Sequence, residues 1–174
     1  MRSAGLALVL CLLGGAGQAG ERAASLVNSF AVMCALEPLD FARSDEKAAA
    51  MKLPVRKDLR TPPDASGHFI HSKSWLLPLK SGPHEFVVAE ARGPKGDVKS
   101  CGIGAPDVDG NDFKAELTKA LKLGRPADEG TLPGGERRTA WRYGPERLDL
   151  MLVDGSPKSQ PGIYLTLTKN PPAR

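Results

Sequence analysis

Two cysteines constrain the fold of this chain more than any other feature of its sequence. Cys34 and Cys101 lie far apart, and a bond between them would close a loop of 68 residues. In the chain-entropy model, such a loop stabilises a fold by about 4 kcal/mol. Whether the two thiols pair depends on the compartment, because disulfides form and persist in oxidising environments.

The N-terminus predicts export to such an environment. A positively charged start is followed by an apolar run over residues 6–13, and Gly17 and Ala19 provide the small residues that precede a cleavage point. This is the plan of a secretory signal peptide. The run is shorter than the roughly 20 apolar residues that span a bilayer. We therefore predict a signal peptide over residues 1–19, cleaved near Ala19, and a soluble periplasmic or secreted protein with no transmembrane segment.

The remaining chain, residues 20–174, has the size of one domain. Removing 19 residues from 174 leaves 155, which suits a single core. Loss of Arg2 lowers the formal charge from +4 to +3, well below the charge pattern of a nucleic-acid-binding domain. Five Phe, two Trp and two Tyr are few, which argues against an aromatic-lined groove for sugars or bases. We predict a single α+β domain with no nucleic-acid partner.

Three chemistries are open to Cys34 and Cys101: a disulfide, a nucleophile or a metal site. A catalytic thiol usually lies at a helix N-terminus or beside a histidine, whereas Cys101 ends a strand-like stretch with no nearby histidine. A structural zinc site needs four ligands, and the sequence has no C-x-x-C pair. We therefore predict a disulfide. Lys99 would then share the buried face with Cys101, so we expect a strand end or a bulge near Ser100.

Hydrophobic periodicity predicts three helices and a set of antiparallel strands. The helices are predicted over residues 23–35, 39–53 and 107–123. The strands are predicted over residues 69–79, 85–92, 98–103, 136–143, 147–153 and 162–169. Proline and glycine predict loops over 54–67 and 124–135. The predicted fold class is α+β: an antiparallel sheet of five or six strands, with two N-terminal helices and one central helix packed on one face. No internal repeat is evident.

The layout of the two cysteines carries one resemblance. Phe30-x-x-x-Cys34, the alanine-rich helix that follows, and a hairpin strand that carries Cys101 resemble small predicted periplasmic proteins of Gram-negative bacteria, many of unassigned function. The likeness covers most of the mature chain. It implies export and a bond between Cys34 and Cys101, and it brings no catalytic residue.

An acidic segment before the third helix invites a calcium interpretation. Asp107, Asp109 and Asn111 place oxygens at the first, third and fifth positions of an EF-hand loop. Such a loop also needs Gly at its sixth position and Glu at its twelfth, and Asp112 and Thr118 stand there instead. Acidic residues are favoured at a helix N-terminus without a metal, because they cap it and complement its dipole. We predict capping, and no metal or other cofactor.

A catalytic alternative uses Ser100 or Cys101 with a histidine. The candidates are His68, His71 and His84, and a small periplasmic hydrolase is the corresponding function. No nucleophile elbow, P-loop or dinucleotide fingerprint supports it. His68 and His71 are three residues apart on a predicted strand, so they should point to opposite faces. A secreted enzyme inhibitor is a further alternative.

Cations and aromatic residues alternate on the predicted strand 136–143. Arg138 and Arg142 share one side of it, and Trp141 and Tyr143 share the other. Such residues suit a partner that is an envelope protein or an anionic envelope component. We predict that the four residues bind, on the sheet face opposite the helices. The alternative places Trp141 in the core. The predicted function is a non-enzymatic binding protein of the cell envelope.

Overall fold

The computed structural model describes residues 15–35, 39–79, 82–94, 96–155 and 162–171, with side chains from Gly20 onward. Of the predicted signal peptide, residues 1–14 lie outside this description and residues 15–19 form the first helical turn. The α-helices are α1 (Gly15–Phe30), α2 (Phe41–Ala50) and α3 (Gly110–Ala120). A π-helical turn, Ala31–Ala35, continues α1.

Eight strands form one antiparallel sheet. They are β1 (Val55–Arg60), β2 (Phe69–Leu79), β3 (Gly82–Gly93), β4 (Gly96–Ala105), β5 (Asp128–Thr131), β6 (Arg137–Tyr143), β7 (Leu148–Asp154) and β8 (Ile163–Lys169). Their order across the sheet is β1-β2-β3-β4-β8-β7-β6-β5. The prediction of five or six strands was therefore wrong, because the described part of the chain contributes eight.

The two strands that the sequence pattern did not predict are the two edges of the sheet. Every residue of β1 and of β5 is exposed. A strand with no buried face shows no alternation of apolar and polar residues, so the periodicity that predicts strands is absent. β1 also contains a bulge between Val55 and Lys57. Bulges and charged residues are typical of edge strands, where they hinder pairing with another chain.

All three helices lie against one face of the sheet, which we call the helix face; the other is the open face. α1 and α3 pack on each other and on an apolar core. The core residues with at most 2% exposure are aromatic and aliphatic side chains from both layers: Leu26, Phe30, Trp75, Phe86, Ile103, Phe113, Leu117, Leu150, Leu152, Leu165 and Leu167. This arrangement leaves the open face without a covering helix among the described residues.

The helix α2 is attached to the sheet largely by charged and aromatic contacts. Lys73 Nζ lies 2.6 Å from Asp45 Oδ1, and Lys99 Nζ lies 3.5 Å from Asp40 Oδ2. The ring of His71 stacks on Phe41, with 4.0 Å between centroids. Neither the strand end nor the bulge expected near Ser100 is present: β4 continues past this residue, and its register with β3 is unbroken. Lys99 is accommodated on the helix face by its ion pair with α2.

The sheet contains a structural repeat. Each half is a helix-containing segment followed by a four-stranded meander, and the last strands of the two meanders, β4 and β8, pair at the centre. The registers agree residue by residue. One cross-strand row of the first half is Trp75, Phe86 and Ile103. The corresponding row of the second half is Trp141, Leu150 and Leu167. The paired residues Gly102 and Thr166 lie at the centre of this pseudo-twofold arrangement.

Candidate functional site

The two cysteines of the predicted pair are bonded. Their sulfur atoms are 2.02 Å apart and their Cα atoms 5.5 Å apart, and both residues are buried. This confirms the predicted disulfide between Cys34, in the π-helical turn, and Cys101, on β4. A sulfur in a disulfide is neither a nucleophile nor a metal ligand, so the catalytic alternative loses Cys101.

Ser100 is the remaining nucleophile candidate, and the sheet separates it from two histidines. Ser100 lies on the open face, whereas His71 and His84 lie on the helix face with the core residues. His68 precedes Ile70, which is level with Val98, so His68 lies four residues from Ser100 along the strands. That offset corresponds to about 13 Å. The strand register therefore brings Ser100 together with none of the three histidines.

The two buried histidines lie near charged residues. His71 Nε2 lies 3.1 Å from Asp58 Oδ1, and Nδ1 lies 3.9 Å from Glu90 Oε1. Burial lowers the pKa of His84, and the nearby Arg22 lowers it further, while Asp107 acts in the opposite direction. These contacts account for both residues as parts of the packing between the helices and the sheet.

The acidic segment before α3 caps the helix. Asp109 Oδ1 accepts hydrogen bonds from the backbone N–H of Asn111, at 2.9 Å, and of Asp112, at 3.0 Å. This is the N-cap predicted from the sequence. Within the described residues, no group of three or more His, Cys, Asp or Glu side chains is placed to hold a metal ion.

The two arginines predicted to bind lie on the open face, and each has an acidic partner. Arg138 pairs with Asp128 across β5 and β6, and Arg142 pairs with Asp149 across β6 and β7. These pairs neutralise much of the positive charge that the sequence suggested for this surface. Exposed pairs of this kind also contribute little to stability.

The two aromatic residues predicted to bind lie on the opposite side of β6. Trp141 is 3% exposed and belongs to the core, and Tyr143 is half-buried and packs against it. A partner on the open face cannot reach Trp141, because the ring points toward the helices. The register of β6 thus separates the two arginines from the two aromatic rings.

A cavity of about 800 Å³ lies at one end of the open face. Its floor consists of Ile70, Ala91 and Val98, which are direct neighbours across β2, β3 and β4. Ile70 is 50% exposed although its side chain is large and aliphatic. We call this the apolar cavity. Its volume falls in the range of about 300–1,000 Å³ that is usual for ligand pockets.

The loop between β1 and β2 forms one wall of the apolar cavity and is fixed by its own hydrogen bonds. Asp64 Oδ1 accepts from His68 N at 3.0 Å and from Ser66 N at 2.8 Å. The hydrogen bond from His68 N, and to a smaller extent the one from Ser66 N, holds the pKa of Asp64 below its usual value. Thr61 Oγ1 accepts from Ile70 N at 2.8 Å, which ties the loop to the cavity floor.

The segment that follows β8 forms the opposite wall, through Asn170 and Pro171. Pro171 packs against Gly96, where an added Cβ would lie 2.8 Å from the Cβ atom of the proline. Gly96 also has a φ of +113°, which side-chain-bearing residues rarely adopt. Glycine is required here both for the turn and for the close approach of the wall.

A second cavity, of about 560 Å³, lies at the other end of the open face. The residues Glu85, Gly104, Tyr164 and Val153 form one of its cross-strand rows, over β3, β4, β8 and β7. We call it the polar cavity. Burial raises the pKa of Tyr164, and the carboxylate of Glu85 adds to the shift.

The two cavities occupy related positions in the structural repeat. The floor of the apolar cavity lies five residues from the row Trp75, Phe86 and Ile103. The corresponding positions of the second half, five residues from its core row along each strand, are Glu136, Gly155 and Gly162. All three line the polar cavity. The same place in the fold therefore carries an aliphatic floor in one half, and a carboxylate and two glycines in the other.

Both cavities lie on the open face, where the sequence analysis placed the predicted binding surface, but none of the four residues predicted to bind lines either cavity. Ala91 and Val98 lie near the end and at the start of two consecutive predicted strands, whereas nothing in the sequence pattern places Ile70 beside them. The only local signal is the turn sequence at Asp64 and Ser66, which marks a structured loop beside β2.

The geometry of these sites is the basis for any functional assignment. No family model matches the chain, and neither the curated proteins nor the solved structures include a match. Over the described ranges, no helix has the length and apolar character that crossing a membrane requires.

Proposed function

We propose that this is an exported, non-enzymatic binding protein of the cell envelope that holds a small, mostly apolar ligand in the apolar cavity. One observation carries the proposal. Three aliphatic side chains, those of Ile70, Ala91 and Val98, form a continuous uncovered floor between two preformed walls. An apolar surface with a few convergent polar groups is the usual composition of a ligand site.

The polar groups of the cavity lie at its rim. Asp64 and His68 face each other in the β1–β2 loop, with 3.2 Å between Oδ2 and Nδ1. Arg92 and Asn170 also line the cavity, but Arg92 Nε is engaged by Asp97 at 3.0 Å. The rim is close to neutral, so burial of apolar surface is the expected driving force for binding. Charge attraction contributes little to binding.

The proposed export is compatible with the helix that crosses the predicted cleavage point. The buried side chains described in α1 are Ala23, Leu26, Val27 and Phe30. All of them follow Ala19, so cleavage there keeps this apolar stripe intact. The mature protein therefore retains the contacts of α1 with the core.

A fluorescent probe tests the proposal. N-phenyl-1-naphthylamine, a neutral apolar dye, is titrated into the mature protein, residues 20–174, and its emission is followed. We expect saturable binding. Ala91→Phe fills the cavity and should weaken binding by about tenfold or more, which corresponds to about 1.4 kcal/mol.

Ala89→Phe is the matched control, because Ala89 lies two residues from Ala91 on the same strand and the same face. It does not line the cavity, so it should bind the dye as the wild type does. Equal affinity in the two variants, or no saturable binding by the wild type, would contradict the proposal.

A further inference from the structure

We propose that the polar cavity is a second ligand site, which takes a neutral, hydroxyl-rich ligand such as a sugar ring. The inference is independent of the apolar cavity and of its ligand. It arises from two features: a partly exposed aromatic ring and hydrogen-bonding groups of both signs.

The aromatic ring is that of Tyr164. It lies against Gly104, where an added Cβ would be 3.5 Å from Tyr164 Cδ2. Tyr164 is nonetheless 42% exposed, so part of the ring remains open to a ligand. A tyrosine ring offers an apolar face and a polar hydroxyl. A sugar ring matches this pattern, with a face of C–H groups and an edge of hydroxyls.

The hydrogen-bonding groups are Arg56, Glu85 and Glu136, all of which line the cavity. Arg56 Nε and Glu85 Oε1 are 3.8 Å apart, which is too long for a hydrogen bond. Both groups therefore keep capacity for a ligand. Arginine only donates and an ionised glutamate only accepts, whereas a sugar hydroxyl does both and satisfies either group.

The mixed signs of these groups favour a neutral ligand over an ion. An ammonium ligand would meet the guanidinium of Arg56, and a carboxylate or phosphate would meet Glu85 and Glu136. The phenol of Tyr164 is protonated at neutral pH, since its pKa lies above the ordinary value of 10.0, and the hydroxyl is therefore available as a donor. Each group in the cavity can then bond a hydroxyl without a charge conflict.

Two glycines line the polar cavity. Gly155 and Gly162 stand where the apolar cavity has Ala91 and Val98. Gly162 has a φ of +108°, and an added Cβ would clash with the carbonyl oxygen of Ala105. Glycine is required at this position both for the backbone conformation and for the close approach of the segment that follows β4.

The test uses glucose and N-acetylglucosamine as probes, with saturation-transfer difference NMR on the mature protein. We expect binding of at least one of the two. Tyr164→Ala and Glu85→Gln should each weaken it by about tenfold, the effect of one lost stacking or charge-assisted contact. Tyr164→Phe keeps the ring and should lose less than Tyr164→Ala.

Controls separate this site from the apolar cavity and from nonspecific binding. Ala91→Phe alters only the apolar cavity and should bind sugar as the wild type does. Glucosamine and glucuronate carry an ammonium and a carboxylate, and tighter binding of either than of glucose would overturn the proposal. Failure of both neutral sugars to bind, or wild-type affinity in Tyr164→Ala, would also overturn it.

Discussion

The two four-stranded halves of the sheet have matching registers but are fastened to the helices in different ways. In the first half, a disulfide from Cys101 and the ion pairs of Lys73 and Lys99 hold the sheet to the π-helical turn and to α2. In the second half, Leu165 occupies the position that corresponds to Cys101, and it is fully buried. The second half is attached by apolar packing alone at this point.

The difference shows that one backbone plan accepts unlike chemistry at equivalent positions. Trp75 and Trp141 are equivalent and both are buried, so the core row is alike in the two halves. The cavities five residues away differ, with Ile70 at the position that corresponds to Glu136. The core rows are alike in the two halves, whereas the residues at the strand ends differ in their chemistry.

The largest expected effect comes from removing the disulfide. The double variant Cys34→Ser, Cys101→Ser should lose about 2–5 kcal/mol of the free energy of unfolding, because the unfolded chain regains the entropy of a long loop. Urea unfolding with far-UV circular dichroism measures this. Leu165→Ala is the counterpart in the second half, with an expected loss of about 2–5 kcal/mol from a core cavity. A loss below about 0.5 kcal/mol in the double variant, as at a surface site, would show that the disulfide adds no stability.

A smaller effect tests the centre of the repeat, where the two halves meet. An added Cβ at Gly102 would lie 2.8 Å from the carbonyl oxygen of Leu165 and 3.0 Å from Thr166 Cγ2. Gly102→Ala should therefore destabilise the protein by about 1–3 kcal/mol through overpacking. The matched control is Gly104→Ala, where the nearest contact is an ordinary 3.5 Å to Tyr164. Its expected change is below about 0.5 kcal/mol, and equal losses in the two variants would contradict the close packing of β4 on β8.

The smallest expected effect is a pH dependence confined to the first half. Burial lowers the pKa of His84 below its ordinary value of 6.5, so the unfolded chain binds a proton more readily than the folded one. The corresponding stability is fully present above pH 6.5 and is lost as the pH falls toward the pKa of His84 in the folded protein. His84→Gln should have a flatter stability profile over this window, measured by urea midpoints. His68→Gln, at a half-buried position in the β1–β2 loop, is the control, and identical profiles for wild type and His84→Gln would contradict the prediction.

The sequence predicted the elements that have one buried face and missed those that have none. The helices and the six inner strands follow from apolar spacing, and the capping predicted for the acidic segment before α3 is made by Asp109. β1 and β5 could not be predicted, because all their residues are exposed and their pairing depends on β2 and β6. The structural repeat is not evident from the sequence for a related reason. Equivalent positions such as Ile70 and Glu136 differ in chemistry, so only the pairing registers relate them.

The candidate sites were less predictable than the fold. The open face could be predicted, because the helices need the other side of the sheet. The residues that line the two cavities could not. Arg138 and Arg142 lie on the open face, as the alternation along their strand implies. Their acidic partners on β5 and β7 are set by the pairing register of these strands with β6 and could not be predicted. Export remains a prediction from residues 1–19.

By itself, the sequence determined the bond between Cys34 and Cys101, the buried stripes of the helices and the alternation of the inner strands. These are local properties of composition and spacing, or, for the disulfide, a consequence of two thiols in a chain predicted to be exported. The tertiary structure alone decided which strands are neighbours. Both cavities depend on that choice, because each combines residues from several strands that meet only through cross-strand pairing. The physical reason is that one face of a sheet is assembled from every second residue of each strand, in a register that no single strand encodes.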